Sequence, residues 1–166
     1  DESEVSMSDM EKQIKELSNT TGIGASDLAE ATYQAISAGR STGEAVGFVA
    51  DASKLAKAGF TDVTTSVDTL TTILNAYGLS ADAATAVSDK LITTQNLGKT
   101  TVAQLGQSLG TVIPTAAAYG VNLDNVAAAY VAMTKNGVST AESTTYLNSM
   151  INELGKSGTK ASDILK

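Results

Sequence analysis

Apolar residues recur at helical spacing along the chain. From Val63 to Tyr77 the large apolar side chains fall three or four positions apart, and the same spacing returns between Leu147 and Leu154. Such spacing places apolar side chains on one face of an α-helix. No stretch alternates apolar and polar residues with a period of two, so we predict no β-sheet. The pattern therefore predicts an all-α fold.

A repeated phrase containing glycine separates the apolar segments. It consists of a glycine, a residue that is usually apolar, and a Ser, Thr or Asn. The phrases begin at Gly24, Gly39, Gly59, Gly78, Gly98, Gly120 and Gly137. We expect the glycine to close one helix in the left-handed conformation and the apolar residue to anchor the turn in the core. The polar residue is then expected to cap the next helix.

These phrases divide the chain into short helices. We predict helices at residues 26–38, 42–58, 62–77, 81–97, 101–119, 123–136 and 140–154, preceded by a short charged helix at about 8–18. Connections of two to four residues make successive helices turn back on one another. The expected fold is a compact bundle or an irregular array of about seven to eight short helices joined by Gly-apolar-Ser/Thr/Asn turns. The uneven spacing of the phrases argues against a regular solenoid.

Three residue pairs fit the capping box, in which a Ser and a Glu three residues later each bind the other's backbone amide. The pairs are Ser8 with Glu11, Ser41 with Glu44, and Ser139 with Glu142. The sequence Asn-Thr-Thr-Gly at residues 19–22 is expected to end the first helix, since all three residue types favour turns.

The stretch at residues 100–120, TTVAQLGQSLGTVIPTAAAYG, combines an apolar helical face with two glycines and the only proline of the chain. Six residues are predicted to form that apolar face: Val102, Leu105, Leu109, Val112, Ile113 and Ala116. Gly106 and Gly110 lie about one turn apart, at a cost of about 1 kcal/mol each relative to alanine. Because missing side chains let another backbone approach, we predict that both glycines face a neighbouring helix. Pro114 lacks an amide hydrogen and disfavours helical geometry at Ile113, so we predict that the helix ends or kinks there.

The composition excludes several kinds of chemistry. The chain has no cysteine and no histidine, which removes disulfides, the commonest general base and the commonest zinc ligand. Its net charge of -7 resides in residues 1–51, and the remaining chain is neutral. Without a basic stripe to neutralise phosphates, we expect no specific nucleic-acid binding and no membrane contact. Polar residues also interrupt every neutral window of about 20 residues, which argues against a membrane span.

Two short motifs resemble functional sites but lack the required context. Gly98-Lys99-Thr100 resembles the end of a phosphate-binding loop, yet Thr93 stands where that loop needs its first glycine and no strand precedes it. Ser157 and Lys160 have the spacing of a serine–lysine nucleophile, but their polar surroundings would not desolvate the lysine. We predict no catalytic residue, no cofactor and no metal site.

The composition also divides the chain into three parts. Residues 1–21 form an acidic segment with a short helix, residues 22–155 a helical core domain, and residues 156–166 a polar tail leading into a longer protein. The chain begins without an initiator methionine and shows no signal-peptide pattern, as expected for a piece of something longer. Structural roles are predicted for Gly98, Thr100, Gly106, Gly110, Pro114, Gly120, Gly137, Ser139 and Glu142.

Three long segments carry a resemblance to a known family. They are DLAEATYQAISAG from Asp27 to Gly39, LGKTTVAQLGQSLGTVIPTAAAYGVNLD from Leu97 to Asp124, and AAAYVAMTKNGVSTAESTTYLNSMINEL from Ala127 to Leu154. Joined in this order, they resemble the core region of phage tail tape-measure proteins, which are minor tail proteins of long-tailed phages. The resemblance extends from about Gly22 to Lys166, and it identifies residues 22–155 as a core domain of this type.

The resemblance implies a scaffold that sets tail length and around which tail-tube subunits polymerise. It implies as partners the major tail protein of the tube, tail assembly chaperones and other tape-measure copies. It also implies assembly in the bacterial host cytoplasm, a position in the virion tail lumen and a role in DNA ejection. The family has no catalytic residues in this region, so the resemblance implies no enzyme. A helical adhesion or secreted-effector fragment without catalytic role is the alternative that composition alone permits.

Overall fold

The computed structural model describes residues 5–156, and every regular element in that range is helical. The helices are Met7–Thr21 (α1), Ala25–Ser37 (α2), Thr42–Ala58 (α3), Val63–Tyr77 (α4), Ala84–Leu97 (α5), Val102–Ala118 (α6), Leu123–Lys135 (α7) and Thr140–Lys156 (α8). A single 3-10 turn, Ala81–Ala83, leads into α5. The prediction of an all-α fold with about eight short helices is confirmed.

The helices alternate between two layers. Helices α2, α4, α6 and α8 pack side by side in one layer, and α1, α3, α5 and α7 pack in the other. Each helix makes its principal contacts with the next helix and the next but one along the chain, while α1 and α8 share no principal contact within residues 5–156. This nearest-neighbour pattern is typical of helical-repeat arrays, although the helix lengths here are uneven.

The apolar core fills the space between the layers, and α6 lies at its centre. All six positions predicted for the apolar face of this helix are buried: Val102, Leu105, Leu109, Val112, Ile113 and Ala116. On α4, the predicted stripe residues Val63, Val67, Leu70 and Leu74 are also buried. The spacing of apolar residues therefore identified the inward faces of the two most extensively packed helices.

The observed caps differ from the prediction at several helices. Asp62, and not Thr61, caps α4, and neither Ser26 nor Ser80 accepts a capping hydrogen bond from a backbone amide. In α1 the cap is Ser6, whose Oγ accepts from the Asp9 amide at 3.1 Å, so the predicted Ser8 cap is wrong. The helix also continues through Thr20 and Thr21, because each hydroxyl donates to a carbonyl one turn back at 2.6 Å and is thereby satisfied. Gly22 then ends α1 with φ of 72°.

At the start of α6, Thr101 forms the capping box with Gln104, through two hydrogen bonds of 3.1 Å. The predicted cap Thr100 is instead buried, and its Oγ1 is hydrogen-bonded to Thr140 Oγ1 at 2.8 Å. This pairing joins the turn before α6 to the start of α8. The turn thus has one more residue than the sequence phrase indicated.

The capping box at Ser139 and Glu142 is present. The Ser139 Oγ accepts from the Glu142 amide at 3.2 Å, and Glu142 Oε2 accepts from the Ser139 amide at 3.3 Å. The predicted cap at Ser41 is wrong, since its Oγ donates to Glu44 Oε2 at 2.8 Å and caps no backbone amide.

The phrase glycines have two different roles. Four of them take positive φ as predicted: Gly39, Gly78, Gly120 and Gly137. Gly59 and Gly98 do not take positive φ, and at these two positions a side chain would collide with a neighbouring residue. A Cβ on Gly59 would lie 2.7 Å from the Val102 side chain, and one on Gly98 would lie 2.8 Å from Thr134 Oγ1. Gly24 also lacks positive φ.

The predicted anchoring of each turn by an apolar residue holds only in part. Val121 is buried after Gly120, but Leu79 and Phe60 are exposed, so the expectation is wrong at those two residues. Phe60 itself takes the left-handed conformation, with φ of 52°. The glycine of this phrase, Gly59, lies one residue earlier, because only glycine fits there against the Val102 side chain.

We expect Gly120→Ala to destabilise the domain by about 1 kcal/mol, because φ of 72° is unfavourable for a residue with a Cβ. Gly47→Ala is the matched control, since it lies within helix α3 and an added Cβ would meet nothing within 4 Å. Better helix propensity should make the control more stable by about 0.5–1 kcal/mol. Urea unfolding midpoints measure both, and equal shifts would contradict this account of Gly120.

Candidate functional site

The outer surface of α6 is a continuous uncharged strip. No residue from Val102 to Ala118 carries a charge. Five of its exposed residues follow helical spacing along one side, namely Gln104, Gln107, Thr111, Pro114 and Ala118. Since α4 and α8 flank α6 in the same layer, this strip lies in the middle of one broad face of the molecule. Such a surface offers hydrogen-bonding groups and apolar area but no group for acid–base chemistry at neutral pH.

Gly106 lies where α6 comes closest to α4. A Cβ at this position would collide with Thr69 Oγ1 and would lie 3.3 Å from the Thr65 Cγ2 methyl. Thr69 is buried, and its hydroxyl donates to the Thr65 carbonyl at 2.7 Å. The predicted close approach at Gly106 therefore agrees with the structure. The sequence did not identify Thr65 and Thr69 as its partners, although their spacing of four places both on one side of α4.

The prediction for Gly110 is wrong. This glycine is exposed, and an added Cβ would meet nothing within 4 Å. Pro114 explains better why a glycine occupies position 110, because Gly110 lies four residues before Pro114 in the same helix. Proline cannot donate to the carbonyl four residues earlier and its ring crowds that carbonyl. Gly110 has no Cβ that could add to this crowding.

Of the two outcomes predicted at Pro114, an end or a kink of the helix, the end is wrong and the kink stays a prediction. Helix α6 continues through Pro114 to Ala118. Pro114 is exposed, whereas Ile113 and Ala116 beside it are fully buried. The buried face holds the helix together across the missing hydrogen bond, since tertiary packing outweighs a local preference of a few kcal/mol.

A polar groove runs beside Gly106 between α2, α4 and α6. It has a volume of about 540 Å³, and Asp68 is its only charged lining residue. Tyr33 and Gln34 form one wall and Gln107 the other, while Thr65 and Gly106 lie on the floor. The groove exists because α4 is recessed between its two neighbours at the point where Gly106 lets it approach.

The Gly98-Lys99-Thr100 motif is a helix connection. Thr134 Oγ1 fills the space beside Gly98, accepts from the Lys99 amide at 3.0 Å and donates to the Tyr130 carbonyl at 2.7 Å. A helix, not a strand, precedes this turn. Gly98 and the hydroxyl groups of Thr100 and Thr134 therefore pack α5 and α6 against α7 and α8.

Two tyrosines, the buried Tyr130 and the partly buried Tyr77, strengthen the same region. The Tyr130 hydroxyl is hydrogen-bonded to Thr144 Oγ1 at 2.6 Å, and burial raises its pKa. The Tyr77 hydroxyl donates to the Val121 carbonyl at 2.9 Å and joins α4 to the turn after α6. Burial, with a smaller effect of the Asp124 carboxylate, raises the pKa of Tyr77 to about 12. Both phenols are neutral at physiological pH and serve as hydrogen-bonding groups.

Acidic side chains do not cluster into a metal site in the described residues. Between residues 5 and 156, no group of three or more Asp, Glu, His or Cys side chains is arranged to hold a metal ion. None of the helices in that range is both long and apolar enough to cross a membrane. The Ser157 and Lys160 pair lies outside the described residues.

Comparison with known proteins identifies the family. The family model described as phage-related minor tail protein matches residues 11–166. The chain belongs to this family. Among curated proteins, it is 39% identical over 168 residues to a probable tape measure protein of Clostridium phage phiCD119. That alignment covers 99% of this chain and 18% of the relative, so the chain spans less than a fifth of the relative's length. No solved structure matches the chain.

Membership of the phage-related minor tail proteins makes this chain a structural tail component. The match includes α6 and the two helices that flank it in its layer, because residues 11–166 contain them all. The glycine positions and turn residues described above therefore belong to a tail-protein domain.

We expect Gly106→Leu to destabilise the domain by about 1–3 kcal/mol, because the new side chain must displace Thr69 or push α4 from α6. Gly110→Leu is the matched control in the same helix, and its exposed position should make it neutral or slightly stabilising. Chemical denaturation of both variants is the measurement. Similar losses at the two positions would refute the close approach at Gly106.

Tyr77 should make stability fall at alkaline pH. Its pKa rises from about 10 in the unfolded chain to about 12 in the folded one. The favourable contribution is therefore complete below about pH 10 and is lost as pH rises through about 12. We expect Tyr77→Phe to flatten the decline in unfolding free energy between pH 10 and 12. Tyr146→Phe, which removes an exposed phenol, should leave the decline in place, and an unchanged slope in Tyr77→Phe would contradict the assignment.

Proposed function

We propose that this chain is a compact part of a tape-measure scaffold, which sets phage tail length and templates assembly of the tail tube. The observation that carries the proposal is the 39% identity to a probable tape measure protein along 99% of the chain. The matched residues include the buried faces of the array, so the relative is expected to share the fold. The division into an acidic segment at 1–21, a core at 22–155 and a tail at 156–166 is part of the proposal.

The proposed partners are the tail-tube subunits, tail assembly chaperones and other copies of the scaffold. The proposed location is the lumen of the virion tail, after assembly in the host cytoplasm, with departure from the tube when DNA is ejected. The uncharged strip on α6 supports this placement, since it gives no electrostatic attraction for DNA. The proposed role is structural, without catalysis.

The packing of the helices is relevant to how much this segment adds to the length of the tail. As one continuous helix, 166 residues would span about 250 Å at 1.5 Å per residue. A compact chain of this size has a radius of gyration of about 15 Å and hence a diameter of roughly 40 Å. Eight short helices in two layers favour the compact dimension. We therefore propose that this domain adds little to the measured length unless assembly pulls it open.

An in-frame deletion of residues 22–154 in the full-length protein tests both parts of the proposal by electron microscopy of the tails. We expect few tails, or tails of nearly unchanged length, because the domain acts in assembly while folded. Tails shortened by about 1.5 Å per deleted residue, about 200 Å in all, would show that the segment is extended in the tube.

The control is a deletion of equal length in a long continuous helix of the same protein, which should shorten the tails by the full 200 Å. Normal numbers of infectious particles after deletion of residues 22–154 would contradict a role in tail assembly. Normal tails that no longer attach to host cells would favour the adhesion alternative.

A further inference from the structure

A second groove lies in the other layer, between α5 and α7, and has no occupant among residues 5–156. Its volume is about 460 Å³, and its floor consists mainly of small apolar side chains: Ala127, Ala128, Val131 and Ala132. Leu97 forms part of its rim and is 52% exposed. Volumes of this size are typical of sites that accept large apolar side chains.

The groove is elongated and follows two helices that run in the same direction. Lys90 of α5 forms an ion pair with Asp124 near the start of α7. At the other end the Lys99 amide, just after α5, donates to Thr134 near the end of α7. The residues of α7 that line the groove run from Asp124 to Ala132, about 12 Å at 1.5 Å per residue, which corresponds to just over two turns of helix.

Opposite charges mark the two ends of the groove. At the end where α7 begins, Asp89 is exposed and forms no ion pair in the described part of the chain, while Asp124 is already paired with Lys90. At the end where α7 finishes, Lys99 and Lys135 are exposed and likewise have no ion-pair partner within residues 5–156. The unpaired charges are therefore negative at one end and positive at the other.

We propose that this groove binds an amphipathic α-helix of another protein, oriented parallel to α5 and α7. A helix carries partial positive charge at its N-terminus and partial negative charge at its C-terminus. Its N-terminus would then lie near Asp89, and its C-terminus near Lys99 and Lys135. Large aliphatic side chains on one face would cover the alanine floor, as in other helix-in-groove complexes.

The charge pattern favours a protein helix over other occupants. Nucleic acid would place phosphates along the whole groove, including beside Asp89 and Asp124, where like charges repel. The proposal concerns a docking surface, and it holds whether or not the domain contributes to tail length.

Site-specific photocrosslinking in the full-length protein, in cells that assemble tails, tests this proposal. Benzoylphenylalanine is placed at Ala128 in one variant and at Ala132 in another, since both alanines are exposed and one turn apart in the groove. Ala29, exposed on α2 in the other layer, is the control position. The crosslinked peptides are identified by mass spectrometry.

We expect both groove positions, and not Ala29, to crosslink the same segment of a partner protein. The attachment point from Ala132 should lie about four residues closer to the partner's C-terminus than the one from Ala128, because a parallel helix advances 1.5 Å per residue. A shift toward the partner's N-terminus, a shift of about two residues as in an extended peptide, or crosslinks to nucleic acid or another copy of this chain would overturn the proposal. Equal crosslinking from Ala29 or no crosslink from the groove would do the same.

Charge reversal provides an independent measurement. Lys135→Glu should lower the crosslinking yield from Ala128 about fivefold, since it removes the attraction for the partner's C-terminus. Lys57→Glu is the matched control, because Lys57 is also an exposed lysine in the last turn of a helix in this layer. Equal yields from the two charge variants would contradict the proposed orientation.

Discussion

The approach of α6 to α4 at Gly106 is the contact on which the rest of the array depends. Thr69 occupies the space that a side chain at 106 would fill, so the two helices can lie against each other over much of their length. With α4 drawn in, α2 and α6 stand above it and form the walls of the polar groove. The position of α6 in turn sets where α8 can pack, because α6 and α8 are neighbours in the same layer.

Small residues with hydroxyl groups make such a core possible. Most buried threonines and serines satisfy their hydroxyls by donating to carbonyls one turn back, whereas the hydroxyls of Ser88 and Ser143 have no partner within residues 5–156. Examples are Thr32 to Leu28, Ser53 to Val49, Thr71 to Val67, Thr134 to Tyr130 and Thr144 to Thr140. A hydroxyl bonded in this way can be buried at little cost. Where these small residues lie, the helices come into close contact, at the expense of the apolar area that larger side chains would bury there.

The sequence pattern predicted the helices well and the turns less well. Helix periodicity identifies buried faces because it depends on many residues at once, and all six predicted positions on α6 are indeed buried. The role of a single glycine depends on what lies across from it in space. Gly106 and Gly110 look alike in sequence, yet one faces Thr69 and the other faces solvent. Phe60 could not be foreseen in the left-handed conformation, since the reason lies at Val102, more than forty residues away.

The sequence predicted which chemical groups the candidate surfaces lack, but not where those surfaces lie. The lack of His and Cys directed attention away from catalysis, and the absence of an enzymatic role stays a prediction. The resemblance pointed to the family that the comparison identified. Neither groove has a signal in sequence, because each is formed by helices that are not adjacent along the chain. The charges at the two ends of the α5–α7 groove are likewise scattered in sequence and become a pattern only in the folded array.

The nearest-neighbour order of the helices has a mechanical consequence. Because α1 and α8 share no principal contact in the described residues, no helix has to be threaded past another when the chain is pulled from either terminus. Tension would peel off helical hairpins one at a time, and each departure would leave the remaining interfaces as they were. Contacts of short sequence separation also re-form quickly, so such a domain can pass a narrow channel as a thread and recover its shape on the other side.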